Sequence, residues 1–193
     1  MLFFMPYAIM NIRGDNMILL LGGATHCGKT KLAQKLLETY HIPYYSIDHI
    51  KMGLIRAHIS DICVEDDKAL TSYLWPIMKE IILTAIENNQ HFIIEGCYIP
   101  FDWQKDFTEE ERKKIHYCCL IFSKSYIEQH QKEIFQYANC IEQRKEEALD
   151  IDALIKDNLN HLQSCKQYHL PYILIDNTYA IDIENNFAFL KQK

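Results

Sequence analysis

Residues 17–30, MILLLGGATHCGKT, constrain what this chain can fold into more than any other stretch. An apolar run leads into a glycine turn, and Gly28-Lys29-Thr30 opens an amphipathic segment. From Gly23 to Thr30 the spacing is G-x-x-x-x-G-K-[ST], the pattern of a phosphate-binding loop between a strand and a helix. Glycines let the backbone wrap closely round a polyphosphate, and the N–H groups at the helix start point at its oxygens. Gly23, Ala24, Thr25, His26, Cys27, Gly28, Lys29 and Thr30 are therefore the expected nucleotide-binding residues. Lys29 is placed to reach the β- and γ-phosphates, and the Thr30 hydroxyl to bind Mg²⁺. His26 stands where a small residue is usual, so its backbone rather than its ring is expected to contribute. Downstream, Leu32, Leu36 and Leu37 recur at helical spacing.

Strand and helix signals alternate along the rest of the chain. A break at His41-Ile42-Pro43 precedes a short strand over 44–47, and a helix is expected from Asp48 to about residue 59. The polar stretch 60–67 reads as a loop. Helical spacing returns over 68–89, with Leu70, Leu74, Ile77, Met78, Ile81, Ile82 and Ala85 on one side and Pro76 as a kink or restart. Strands are expected at 91–95, 115–122 and 171–175, and helices at 126–139, 152–168 and 182–190. Residues 100–108 read as a loop whose Phe101 and Trp103 either cap a pocket or pack on the surface. This alternation predicts an α/β fold with a parallel sheet covered by helices on both faces. Ligands in such sheets bind beyond the carboxyl ends of the strands. That rule gathers the loop, Asp48, Glu95 and Ser123 with Lys124 at one cleft.

The chain has 193 residues, enough for one domain with a full core. Its formal net charge of −6 argues against a nucleic-acid partner, which usually meets a basic surface. The seven cysteines form no C-x-x-C pair, are odd in number, and several lie inside apolar runs. They read as buried reduced thiols of a cytoplasmic protein. The apolar start, MLFFMPYAIM, is too short to span a bilayer and lacks a basic leader, so no membrane partner is expected. Residues 1–16 read as an N-terminal extension, and 17–193 as one domain with a small helical lid near 124–150.

Phosphoryl transfer needs a positioned nucleotide, a metal, a group that orients the acceptor, and cations over the migrating phosphoryl. Asp48, at the end of the second strand, is the expected base, able to face the γ-phosphate and accept a hydroxyl proton; a helix N-cap is its ordinary alternative role. Lys51, one turn on, shares its helix face and could bind an anionic group. Glu95 ends a strand before glycine, where a carboxylate could hold Mg²⁺ through water or bind a substrate hydroxyl. Arginine occurs only at positions 13, 56, 112 and 144. Arg144, in the lid segment, is the first choice for a cation on the transferring phosphoryl, or else pairs with Glu147. Arg56 either binds the acceptor or faces solvent. The histidines lack metal-ligand spacing, so Zn²⁺ is not expected.

Gly23-x₄-Gly28-Lys29-Thr30, the aspartate ending strand two and Ile93-Ile94-Glu95-Gly96 together resemble the small P-loop kinases. That group includes the adenylate kinase-like, zeta-toxin-like and 2-phosphoglycerate kinase-like proteins. The resemblance implies the P-loop nucleoside triphosphate hydrolase fold, a three-layer sandwich with a five-stranded parallel sheet in the order 2-3-1-4-5. It also implies ATP with Mg²⁺ as cofactors, a small-molecule acceptor, and Asp48 as base or substrate ligand. The chain departs from the group in two places. Lys51 replaces the arginine common three positions after the aspartate, and a lysine cannot grip a phosphate bidentately. The lid offers Arg144 where nucleotide kinases usually have several arginines. Residues 93–96 and 154–177 look most like the 2-phosphoglycerate kinase-like group. The functional expectation is an ATP-dependent kinase acting on a small-molecule hydroxyl or acid acceptor, 2-phosphoglycerate kinase-like. A nucleoside monophosphate kinase and a nucleotide-binding regulatory module are the alternatives.

Overall fold

The computed structural model describes residues 17–59, 67–137 and 150–191. In chain order the elements are β1 (Ile18–Gly23), α1 (Lys29–Tyr40), β2 (Tyr44–Ser46), α2 (Ile47–Arg56), α3 (Asp67–Glu87) and β3 (Phe92–Glu95). There follow a 3₁₀ turn (Trp103–Asp106), α4 (Glu109–Arg112), β4 (Ile115–Phe122), α5 (Lys124–Gln129) and α6 (Gln131–Tyr137). The chain continues through α7 (Ile151–Gln167), β5 (Tyr172–Ile175), α8 (Ile183–Asn186) and a closing 3₁₀ turn (Ala188–Leu190).

The apolar run that opens the described chain is buried at every position of β1, as a central strand covered on both faces must be. It pairs in parallel with β3 (Leu21 opposite Glu95) and with β4 (Gly23 opposite Leu120). β2 flanks β3 and β5 flanks β4, also in parallel, giving the order β2-β3-β1-β4-β5 expected from the resemblance. Strand alternation divides the core in two. Ile18 and Leu20 meet Leu70, Leu74, Met78 and Ile82 of α3, whereas Leu19 and Leu21 meet Leu32 and Leu36 of α1 and, from the tail, Phe187. Three layers result, with all strand carboxyl ends on one side.

Several elements differ from their expected form. α3 runs unbroken through Pro76. The expected helix over 126–139 starts two residues earlier and is broken at His130, which leaves helical dihedrals (φ −118°, ψ 26°). Its ring instead stacks on Tyr126 at 4.3 Å. The expected tail helix is α8 plus a 3₁₀ turn, interrupted at Phe187, which sits in the core at 1% exposure. Trp103 is likewise a core residue, stacked on Tyr117, and Phe101 packs on Tyr168 and His161. Both aromatics therefore belong to packing, because each ring finds an aromatic partner on a neighbouring element. The proposed extension 1–16 and the part of the lid over 138–149, Arg144 included, lie outside the described residues.

Candidate active site

The loop between β1 and α1 has the backbone that its glycines predict. Gly23 adopts φ 141° and Gly28 φ 85°, values that L side chains rarely reach. A Cβ on Gly23 would lie 2.4 Å from the Leu120 carbonyl oxygen and 2.7 Å from Cys27 Sγ. His26 takes the left-handed conformation too, at φ 57°. The Tyr179 hydroxyl donates to the Gly28 carbonyl at 3.0 Å and so braces the start of α1 from the segment after β5.

Lys29 lies in the first turn of α1 and is only 7% exposed. Its ammonium donates to the Ala24 carbonyl at 2.7 Å and to Cys97 Sγ at 3.2 Å. Burial works against its charge, yet the hydrogen bond to Cys97 Sγ and the neighbouring Glu95 keep it protonated, and its pKa is raised rather than lowered. The thiols respond the other way. Burial pushes Cys27 up to about 11 and Cys97 above its ordinary value despite the pull of Lys29. Both stay neutral, so neither is an activated nucleophile.

Glu95 closes β3 and is 1% exposed. Thr30 Oγ1 donates to its Oε1 at 3.2 Å, and Ser46, its register partner on β2, lies alongside. Burial raises the Glu95 carboxyl, and Lys29 together with the Thr30 hydroxyl pulls it part of the way back. The two residues expected at the metal are thus brought together. Among the described residues no three histidines, cysteines or carboxylates cluster as a self-sufficient metal site. A hydroxyl and one carboxylate suit Mg²⁺, which keeps water and phosphate oxygens as its other ligands.

β2 ends at Ser46, earlier than expected, so Asp48 is the second residue of α2 rather than the end of the strand, and the dipole of that first turn favours its carboxylate. It forms an ion pair with Lys51 at 2.6 Å, and its charge acts on both Glu95 and Cys97. Asp48 therefore shares the cleft with the loop, as expected. Lys51 also donates to the Tyr98 hydroxyl at 2.9 Å, so this ammonium is committed on two sides. Arg56 ends α2, exposed, about 12 Å further along the helix axis than Asp48. Ser123 caps α5, accepting from Tyr126 N–H at 3.0 Å, and Lys124 pairs with Glu128 on the exposed face.

Three residues of this region were missed by sequence reasoning. Tyr98 sits three positions after Glu95 and holds Lys51. Asn158, 1% exposed on α7, accepts from Phe122 N–H at 2.8 Å and donates to the Leu154 carbonyl at 2.9 Å, pinning α7 to the end of β4. Its neighbour Asp157 lies 3.2 Å from His161 Nδ1 through its Oδ1; burial pushes its carboxyl up, but His161, Lys29 and Thr25 N–H bring it below the ordinary aspartate value. No motif marks an Asp-Asn pair in mid-helix, and only the packing of α7 against β4 gives it meaning.

No protein-family model and no curated protein matches the sequence. Solved structures do match in shape. A candidate kinase from Chloroflexus aurantiacus J-10-fl is 15% identical over 91% of this chain and 97% of its own, with a TM-score of 0.57. A sugar kinase from Janibacter sp. HTCC2649 is 11% identical over 83% and 85%, at 0.52. Shikimate kinase from Acinetobacter baumannii, solved with shikimate, is 14% identical over 92% and 93%, at 0.51. With the sheet order and the loop, these likenesses show that the chain has the fold of the small P-loop kinases.

Proposed function

We propose that the chain is an ATP-dependent phosphotransferase acting on a small-molecule hydroxyl acceptor. The observation that carries this reading is the convergence at one rim of the sheet of Lys29, the Thr30–Glu95 pair and Asp48. A loop that only bound nucleotide would have no need of an acceptor-side carboxylate beside it. Lys29 neutralises the β- and γ-phosphates, and the loop N–H groups fix their oxygens. Thr30 and Glu95 would hold Mg²⁺, whose chemistry is to shield charge on the migrating phosphoryl. Asp48 orients the acceptor: the hydroxyl oxygen bonds to the γ-phosphorus, the β–γ bridging bond breaks, ADP leaves, and Asp48 takes the hydroxyl proton. Arg144 is proposed as the cation over the phosphoryl. Lys51, already bound by Asp48 and Tyr98, speaks against a nucleoside monophosphate as acceptor, since it offers no bidentate grip on a phosphate.

The test is product analysis with Mg·ATP and a panel of acids, sugars, nucleosides and amino alcohols. A phosphorylated product that disappears in Lys29→Met and Asp48→Asn supports the reading. Transfer that survives Asp48→Asn removes Asp48 as base. Tight ATP binding without product from any acceptor supports the regulatory module instead.

A further inference from the structure

Among the described residues three ion pairs join a lysine to an acid three positions earlier. Lys105–Asp102 and Lys113–Glu110 are exposed, the kind of pair that adds little to stability. Lys51–Asp48 differs from them in burial and in company. Its two side chains are only 14% and 23% exposed. The Lys51 ammonium, 2.6 Å from Asp48 Oδ1, also donates to the Tyr98 hydroxyl at 2.9 Å and stands 5.0 Å from the centre of that ring. Tyr98 belongs to the core cluster that holds Trp75 and Met78, so it gives the ammonium a fixed anchor. Burial works against the Lys51 charge, but the hydrogen bonds to Asp48 and Tyr98 outweigh it, and the group stays protonated.

The anchor comes from the segment that also carries Glu95. β3 ends at Glu95, and Tyr98 follows three positions later. Ser46 is the register partner of Glu95. Ile47 packs on Gly96, where an added Cβ would lie 2.9 Å from the Ile47 Cβ. The start of α2 is thus held against the exit of β3 at three points, Ser46 at Glu95, Ile47 at Gly96 and Lys51 at Tyr98. The first two set the backbone, and Lys51 sets the direction of the carboxylate between them. Direction matters, because a misplacement of about 1 Å can cost about 10²-fold in rate. We propose that Lys51 is a positioning residue: anchored by Tyr98, it aims the Asp48 carboxylate at the acceptor hydroxyl and does not itself bind the acceptor. This rests on the phosphotransferase reading and deepens it. The anionic group that Lys51 holds is Asp48 itself. Lys51 keeps its proton throughout the transfer, and the ion pair favours the ionised carboxylate, the form able to accept the hydroxyl proton.

The experiment measures kcat and KM with Mg·ATP and, in turn, glycerate, gluconate, glucose and glycerol. It uses wild type, Lys51→Met, Lys51→Arg, Tyr98→Phe, Asp48→Asn and the double variant Asp48→Asn/Lys51→Met. Lys51→Met is expected to lower kcat by about tenfold or more, while the KM values for acceptor and ATP move by less than about threefold. Lys51→Arg should recover most of that loss. Tyr98→Phe leaves the ammonium unanchored and should lower kcat by a smaller factor, again with KM little changed. Where the Asp48 carboxylate is already gone, Lys51→Met should change the residual rate by no more than about twofold. An acceptor KM that rises about tenfold in Lys51→Met with kcat kept overturns the proposal, since Lys51 then binds the acceptor. So does a loss that adds in full to that of Asp48→Asn. If none of the four acceptors is turned over, crystal structures of wild type and Lys51→Met with Mg·ADP decide. An Asp48 carboxylate held in one rotamer beside Lys51 in wild type and turned away in the variant keeps the positioning assignment while the kinase reading fails. The same single rotamer in both overturns the assignment.

Discussion

Lys29 owes its place to the loop, and its charge ties together groups that burial alone would penalise. Its ammonium satisfies the Ala24 carbonyl and meets Cys97 inside a nearly closed environment. Lys29→Met keeps most of the volume but removes the charge that offsets burial of Glu95. We expect kcat to fall by at least about 10²-fold, as for loss of a single transition-state charge partner, with circular dichroism unchanged. Gly23 is constrained differently, by space and by dihedral together. A methyl group there would lie 2.4 Å from the Leu120 carbonyl, at a φ of 141°. Gly23→Ala should destabilise the fold by about 3 kcal/mol or more in urea unfolding. Gly53, whose added Cβ would meet nothing within 4 Å, is the contrasting site. Gly53→Ala, in the middle of α2, should stabilise by about 0.5–1 kcal/mol.

At the scale of elements, the parts legible in the sequence are those set by local pattern. β1, the loop and α1 follow from an apolar run, glycine spacing and helical leucines, and Glu95 at the end of its strand meets Thr30 of the loop. What stayed illegible depends on contacts distant in sequence. Phe187 breaks the tail helix because the core takes its ring, and the lone Trp103 looks like a loop tip until Tyr117 is seen beneath it. Asp157 and Asn158 read as the polar face of a helix, yet Asn158 reaches across 36 positions to Phe122. Asn158→Leu leaves the buried Phe122 N–H without its partner. We expect a loss of about 2–3 kcal/mol, seen as a lower urea midpoint. Pro76 tests the opposite case. It lies in the interior of α3 with its ring exposed, so Pro76→Ala restores a helix hydrogen bond and should raise stability by up to about 3 kcal/mol.

For the whole molecule, pH exposes a weakness on the face of the sheet away from α3. His116 is on β4, in the same strand that carries Cys118 and Cys119 into the core. Its ring stacks on Phe189 of the tail at 4.3 Å, and its buried Nε2 has no hydrogen-bond partner among the described residues. Burial lowers its pKa from the ordinary 6.5, because it penalises the charged imidazole. The native state therefore binds fewer protons at this site than the unfolded chain does. Stability then rises with pH across the window between the lowered native value and 6.5, and is lost as pH falls through that window. Above it the site is neutral in both states and contributes no slope. His116→Phe keeps the stack on Phe189 and removes the titration. Melting curves from pH 8 to pH 5 should show the variant and wild type differing by a constant amount above pH 7. Below it the variant should gain steadily, about 3 °C for each kcal/mol that wild type loses. Parallel curves over the whole range would mean that His116 titrates alike in both states, and that the tail does not seal it against water.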